Sequence, residues 1–345
     1  MKYLKKFETS VLLEDFKLTD NYETPNVYML SDMTLEFNNY HDYSQDYLTL
    51  VALEDCEFSF KFLGTSDYGG YYVTQEMWER IAYSIDNGET WTELINPGNL
   101  ADTGLTTPTI HKGEKVIWKG IGTKNYRTAP VGAQYGNHCY FSSTGRYNIE
   151  GNILSIAYSD NFKNQTSLTG TDHIFSAIFA KSKNLISAKN LILSATTLGD
   201  DCYYCMFAEC SSLISIPKLP ATTLSKECYS WMFRDCTSLT TAPELPATTL
   251  ASSCYQYMFT NCKALTTAPE LPATTLADSC YSGMFDGCTS LNYVKCLATN
   301  ISASDCTNRW LTSVSSTGTF AKDSSMTSWA SGESGIPSGW TITNV

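Results

Sequence analysis

Thirteen cysteines, four histidines and 35 carboxylates are the groups with which this 345-residue chain would build a reaction. A zinc site wants thiolates clustered with histidine. The one Cys-x-x-Cys is Cys202-Tyr203-Tyr204-Cys205, and the nearest histidine is His173. His138-Cys139 sets a base beside a nucleophile, but neighbours in a strand face opposite sides, so the two are not expected to meet. His41, His111, His138 and His173 form no cluster, and no GxSxG, Walker A, GxGxxG or HExxH is present. Two carboxylates for glycoside cleavage need only be close in space, which keeps a glycan-degrading enzyme as an alternative. Yet Asp235, Asp278 and Asp286 fall at slots that vary between repeats, where solvated charges are expected. The expectation is a non-enzyme with no catalytic residue, no metal and no cofactor.

The cysteines read more simply as packing residues. Cys202, Cys228, Cys254, Cys280 and Cys306 lie 26 residues apart, and Cys210, Cys236, Cys262 and Cys288 repeat at the same interval. A fixed period in this range marks an array of supersecondary units, none of which closes a core alone. Each copy carries Cys, Met-Phe, Cys, Leu, Leu-Pro and Leu. The Met-Phe pairs are Met206-Phe207, Met232-Phe233, Met258-Phe259 and Met284-Phe285. Stacking coil on coil turns each mark into a column, and the columns are the expected core. A free thiol suits such a column because it behaves as a small hydrophobe.

The run CTSLTTAPELP, with its Met-Phe pair, second Cys and following Leu213, Leu239, Leu265 and Leu291, resembles the BspA-type leucine-rich repeat. The likeness covers roughly residues 174 to 320. It implies a right-handed solenoid of 26-residue coils, each with one strand of a parallel ladder. Pro217, Pro243 and Pro269 fall inside that strand, and a residue without an N–H should interrupt or shorten the ladder there.

Ahead of the repeats the text changes. Segments YLTLVALE, CEFSFKFLG, IAYSIDNGETWTEL, KVIWKGIG, HCYFSSTGRYNIE and GNILSIAYS are strand-like and separated by Gly, Asn and Asp turns, as in a β-sandwich. Ser84-Ile85-Asp86-Asn87-Gly88-Glu89-Thr90-Trp91 resembles the Asp-box hairpin SxDxGxxW of sialidases and related β-propellers, a structural device. There Asp86 and Asn87 would accept turn hydrogen bonds, Gly88 would take the positive φ and Trp91 would pack beneath. The chain thus divides into a docking segment over 1–45, with one short helix near Val11 to Phe16, a β-sandwich over 46–160, a solenoid over 161–320 and a cap over 321–345. The overall class is mainly β. A degenerate coil, with Ile178-Phe179 for Met-Phe and Ser182 for the second Cys, is expected to weld sandwich to solenoid. Trp329 and Trp340 are expected to cover the far end.

A net charge of −12 argues against nucleic acid or anionic lipid as a partner. No stretch reads as a secretion signal or a membrane span. What remains for function is surface. A helical turn from Cys to Phe would point the slot three residues after Cys outward. Trp231 and Tyr257, with Tyr204 nearby, would then form an aromatic ridge suited to sugar rings or protein hot spots. The constant row Tyr203, Tyr229, Tyr255 and Tyr281 reads as core shielding, and the Thr222-Thr223, Thr248-Thr249 and Thr274-Thr275 pairs as ladders between coils. The opening MKYLKKFET with TPNV resembles the start of structural proteins of gut-bacterial phages, where such a segment attaches the protein to the particle; an N-terminal strand pair packed on the next domain is the other reading of this stretch. That resemblance implies a virion-associated head or tail fibre, a homo-oligomer attached through its N-terminal segment to other virion proteins and presenting the solenoid to a host-surface glycan or protein. A bacterial cell-surface adhesin and a purely architectural virion component are the alternatives.

Overall fold

In a computed structural model the described residues are 27–29, 35–37, 41–62, 81–93, 105–121, 139–327 and 329–345. The chain divides into two compact units, Met1–Asp42 and Tyr43–Val345. In the first, β1 (Val27–Met29) pairs antiparallel with β2 (Leu35–Phe37), Tyr28 opposite Glu36. The helix expected near Val11 to Phe16 lies outside the described residues.

The second unit is mainly β and built from several sheets. Its six-stranded sheet runs β11-β10-β3-β8-β5-β6, formed by β3 (Leu48–Ala52), β5 (Ile81–Ser84), β6 (Thr92–Glu93), β8 (Lys115–Gly120), β10 (Tyr147–Asn152) and β11 (Leu185–Ile192). A three-stranded sheet runs β7-β4-β9, from β4 (Phe58–Phe62), β7 (Leu105–Thr106) and β9 (Cys139–Ser143). Alternation puts Leu48, Leu50, Phe58, Phe60, Val116, Trp118 and Phe141 inside. The two sheets share this core through Trp118 against Phe141, centroids 5.1 Å apart, and Phe58 against Tyr147, 5.5 Å apart.

One segment read as a strand is a helix. Ile153, Leu154, Ile156 and Ala157 are all buried, the i, i+1, i+3, i+4 spacing of a helical face, and α1 spans Leu154–Tyr158. Gly151 is the penultimate residue of strand β10 ahead of it. At φ +81 a Cβ there would stand 2.0 Å from the Tyr47 carbonyl oxygen, so no other residue fits.

The sheets run directly into the repeats. Strand β10 pairs parallel with β11, which belongs to the first coil, and the Phe141 N–H of β9 bonds Ile178 O at 2.8 Å. Phe141 is therefore the first ring of a column continuing through Phe179, Phe207, Phe233, Phe259 and Phe285, with successive centroids 5.5 to 5.7 Å apart. A second column runs Phe175, Tyr203, Tyr229, Tyr255, Tyr281, Trp310, Trp329 at 5.5 to 6.3 Å. Met206, Met232, Met258 and Met284 are fully buried between them, as are both cysteine columns from Cys202 to Cys288. One contiguous core links sheets and coils.

The backbone beneath those columns is not helical. From Cys202 to Cys210 it is a chain of turns in which alternate amides serve two purposes. Tyr204, Met206, Ala208 and Cys210 donate three residues back along their own coil, whereas Tyr203, Cys205, Phe207 and Glu209 donate to Cys228, Ser230, Met232 and Arg234 of the next coil at 2.7 to 3.0 Å. The pattern repeats in the following coils, from Tyr229→Cys254 O to Tyr281→Cys306 O. It requires a left-handed residue every fourth position: Asp201, Cys205, Glu209; Glu227, Trp231, Asp235; Ser253, Tyr257, Asn261. Asp235, Asn261 and Gly287 suit the last slot of their coils because Asp, Asn and Gly tolerate positive φ, whereas Glu209 holds the same slot without that advantage.

The opposite side of the coils carries the prolines. There Pro243, Leu245 and Ala247 are buried while Glu244, Pro246 and Thr248 are exposed, the alternation of a strand. Yet among the described residues no main-chain N–H from 240 to 252 has a protein partner. Among the described residues continuous strands form where proline is missing, in β11 at one end and in β12 (Tyr293–Cys296), β13 (Gly318–Lys322) and β14 (Trp340–Asn344) at the other, and the coils of Pro217 and Pro269 reach them by isolated bridges such as Ser187 to Ser215 and Leu271 to Cys296. The threonine pairs bond between coils through main-chain amides at the ends of the array, Thr222 and Thr223 to Thr196 O and Thr299 to Thr274 O, and Thr248-Thr249 makes no such bond.

The last segment does more than cover the stack. Trp340 is buried and donates its indole N–H to Ser315 O at 2.8 Å, and Trp329 lies on Trp310, ring planes 8° apart. From Trp340 onward, however, the chain is strand β14, in parallel register with β13, and it becomes a new edge.

Candidate functional site

The thiols are held in a way that silences them. Cys210, Cys236, Cys262 and Cys288 each donate to the carbonyl of the preceding coil's column phenylalanine, Phe179, Phe207, Phe233 and Phe259, at 2.9 to 3.2 Å. In the first coil Ser182 takes the thiol's place, donating to Phe141 O at 3.0 Å and accepting from the Tyr147 hydroxyl at 3.0 Å. A hydroxyl can do both where a thiol does so weakly, which accounts for the serine. Burial pushes the Cys210, Cys228 and Cys288 thiols up to about 12, and Cys236, Cys254 and Cys262 well above their ordinary value. A nucleophilic thiol needs the opposite shift. Within Cys202-x-x-Cys205, Cys202 is fully buried, and burial lifts Cys205 to about 12. His138 lies outside the described residues; Cys139 is buried in β9.

Among the described residues no three His, Cys, Asp or Glu side chains gather to hold a metal ion. The carboxylates expected to be solvated instead tie coils together. Asp235 accepts from Asn261 Nδ2 at 2.8 Å, Asp278 from the Ser304 N–H at 2.9 Å, and Asp286 pairs with Arg309 at 3.2 Å. Each bond spans roughly one period, so these acids are cross-coil acceptors. Asp201, 3.7 Å from His173, is lifted to about 7 by burial and then by Glu227 in the next coil.

The Asp-box segment forms the β5–β6 hairpin. Asp86 accepts from the Ser84 hydroxyl at 2.6 Å, from the Thr90 N–H at 2.9 Å and from the Thr90 hydroxyl at 2.5 Å, and these bonds hold its carboxyl down to about 2. Asn87 and Gly88 take φ +58 and +92. Trp91 packs against Tyr47, with the Lys119 ammonium 4.2 Å above the indole and 2.9 Å from Asp160. Asp86, Thr90, Trp91 and Lys119 are thus engaged within the chain, the arrangement of a hairpin anchor.

Trp231 and Tyr257 form a part-exposed aromatic pair. They occupy the same slot in adjacent coils, centroids 4.3 Å apart and planes tilted by 30°, with the Arg234 guanidinium 4.8 Å from the indole. The slot is left-handed, at φ +61 and +54, where bulky residues are rare. The next coil has Gly283 in it, and the Tyr257 ring fills the space that a Gly283 Cβ would take, 2.2 Å from Cδ1 and Cε1. Tyr204 is not part of this pair. It stands two residues after its cysteine, in the column of Ser230, Gln256 and Ser282, and the slot beside Trp231 belongs to Cys205. The Tyr203, Tyr229, Tyr255 and Tyr281 row is buried. Sequence reasoning missed Arg234 and Gly283 as members of the ridge; the 26-residue spacing of Trp231, Tyr257 and Gly283 was the signal for the latter.

On the proline side a shallow groove of about 340 Å³ lies between two coils, lined by Ala242 to Pro246 and by Pro269, Glu270 and Pro272. It coincides with the break in the main-chain ladder. No protein-family profile, curated protein or solved structure matches this chain.

Proposed function

We propose that this chain is a non-enzymatic binding protein, a β-sandwich carrying a right-handed leucine-rich-repeat solenoid of the BspA type, which contacts a host-surface glycan through the Trp231–Tyr257 ridge. The observation that carries the reading is the ridge itself. Two large rings sit at left-handed backbone positions that cost about 1 kcal/mol each, beside a coil that uses glycine for the same turn. Strain retained at an exposed site points to a task for the side chain. Paired rings flanked by a guanidinium offer an apolar face and donors to a sugar ring, while the repeat thiols Cys210, Cys236, Cys262 and Cys288 are buried and bonded to the preceding coil.

In this reading the protein belongs to a virion as a head or tail fibre, anchored to other virion proteins through its N-terminal segment. The decisive variant is Trp231→Gly with Tyr257→Gly. Relief of the left-handed strain, about 1 kcal/mol per site, offsets ring and cation–π contacts worth about 0.5–1.5 kcal/mol each. Folding should therefore be nearly unchanged, with binding to host polysaccharide reduced tenfold or more. Undiminished binding would remove the ridge from the account, and reducing sugar released by the wild type would replace it with an enzyme. Antibody labelling of native particles in electron micrographs tests the virion assignment, which fails if particles stay unlabelled.

A further inference from the structure

The charges beside the Trp231–Tyr257 ridge narrow the class of sugar it can hold. The slot that carries the two rings continues through Gly283 to Arg309, at φ +61, +54, +60 and +55. Two guanidiniums therefore flank the rings, Arg234 over the indole at 4.8 Å and Arg309 two coils beyond Tyr257. Each already has a carboxylate. Arg234 Nε lies 2.9 Å from Asp235 Oδ2, and Arg309 Nη2 lies 3.2 Å from Asp286 Oδ2. Asp235 is itself fixed in place: its Oδ1 accepts from Asn261 Nδ2 at 2.8 Å, and its N–H donates to Thr260 O at 2.8 Å.

The neighbouring coils add no positive charge. Across the five slots from Trp231 to Asp235 and their counterparts in the coils from 205 to 313, the charged residues are Glu209, Arg234, Asp235, Asp286 and Arg309. Three carboxylates thus stand against two guanidiniums, on a chain of net charge −12. Anionic groups are recognised by a guanidinium whose fork of donors is open to them. Arg234 gives its Nε–H side to Asp235 and lies over the indole, so a carboxylate or sulfate brought to it would be set beside the Asp235 carboxylate. Like charges placed together in this way reject a partner.

We infer that the ridge takes an uncharged sugar and rejects acidic ones, and that Asp235 sets this choice by neutralising Arg234. The inference rests on the reading of the ridge as the glycan contact. An uncharged pyranose meets no opposing charge. Its C–H groups pack on the aromatic pair, and its hydroxyl oxygens accept from the guanidinium N–H groups that Asp235 does not engage.

An array of neutral glycans and of glycans bearing uronate, sialate, sulfate or phosphate tests this with three full-length proteins: the wild type, Asp235→Asn, and Trp231→Gly with Tyr257→Gly. Asparagine keeps an acceptor for Asn261, tolerates φ +59 and removes the charge. The wild type should favour neutral over acidic glycans by about tenfold or more, and the double glycine variant should lose that binding. Asp235→Asn should keep neutral binding and gain acidic binding by up to about fivefold, the worth of one exposed ion pair, with the gain falling as salt is added. Ridge-dependent binding of acidic glycans by the wild type, equal to or above that of neutral ones, overturns the inference and leaves the ridge as the glycan contact. An Asp235→Asn protein with the wild-type ratio of acidic to neutral binding does the same. Glycan binding that survives in the double glycine variant, or no binding to any glycan, removes the reading beneath the inference and the inference with it.

Discussion

The buried tyrosine row makes a prediction opposite in sign to the usual expectation for core substitutions. Tyr203, Tyr229 and Tyr255 are at most 1 % exposed, and their hydroxyls have no hydrogen-bond partner. Burying a hydroxyl without a partner costs about 1–3 kcal/mol relative to water. Replacement by phenylalanine keeps the ring, and with it the column stacking at 5.7 and 5.8 Å between Tyr203, Tyr229 and Tyr255. The void left by one oxygen costs only a few tenths of a kcal/mol at about 24 cal/mol per Å³. Each Tyr→Phe change should therefore stabilise by about 1 kcal/mol, and Tyr229→Phe, in the middle, is the cleanest. The three neighbours touch, so the triple variant need not equal the sum. Denaturant titration followed by tryptophan fluorescence reads the midpoint, which should rise with unchanged slope. A loss of 1 kcal/mol or more in Tyr229→Phe would refute the reasoning, because it would mean that the hydroxyl is satisfied inside the core.

The remaining predictions concern titration. Burial raises Cys210, Cys228, Cys288 and Cys296 from an ordinary 9.0 to about 12. Their neutral forms are favoured in the folded chain, so the stability they contribute is intact below pH 9 and lost as pH rises through about 12. At about 1.4 kcal/mol per thiol and pH unit, the four remove roughly 5 kcal/mol per unit, enough to unfold an ordinary domain by about pH 11. A circular dichroism signal unchanged to pH 12 would contradict this. Asp201 is raised from 3.8 to about 7, by burial first and Glu227 second. Its contribution is full below pH 3.8 and disappears as pH rises through about 7. Asp201→Asn should therefore stabilise the protein at pH 8 by about 2–4 kcal/mol and flatten the pH dependence between 4 and 7. An unaltered melting profile across that range would show that the carboxylate is better solvated than its surroundings imply.

Some of this was legible in the residues, for physical reasons that differ from element to element. The column positions Met232, Phe233, Cys236 and Leu239 recur with the period, and burial must follow a period when one coil cannot close a core. Pro217, Pro243 and Pro269 announced a broken ladder because a missing N–H needs no structural context. The turn chain was less accessible. Periodic apolar marks from Cys to Phe fit a helical turn as readily as linked turns, and what decides between them is a left-handed residue every fourth position, disguised here by Trp231 and Tyr257 where glycine would have declared it. Tyr204 was grouped with that pair by chemistry, but its place one residue earlier put it in another column. Helix α1 was hidden because Gly-Asn-Ile-Leu-Ser-Ile is short and apolar enough for either element, and only the burial of Ile153, Leu154, Ile156 and Ala157 in the folded chain distinguishes them. The end segment was read as a cover from its tryptophans, although Thr-Ile-Thr after Trp340 is itself strand-forming.

The account rests on coils stitched together along their turn side and, in the middle of the array at 240–252, left unstitched along their proline side. Hydrogen–deuterium exchange on the native protein tests this directly. Peptides covering 228–239, where Tyr229, Trp231, Phe233 and Asp235 donate to the next coil, should exchange slowly. Those covering 240–252, with no main-chain donor engaged, should exchange within the earliest time points. Equal protection across both halves, or slow exchange confined to 240–252, would contradict the architecture.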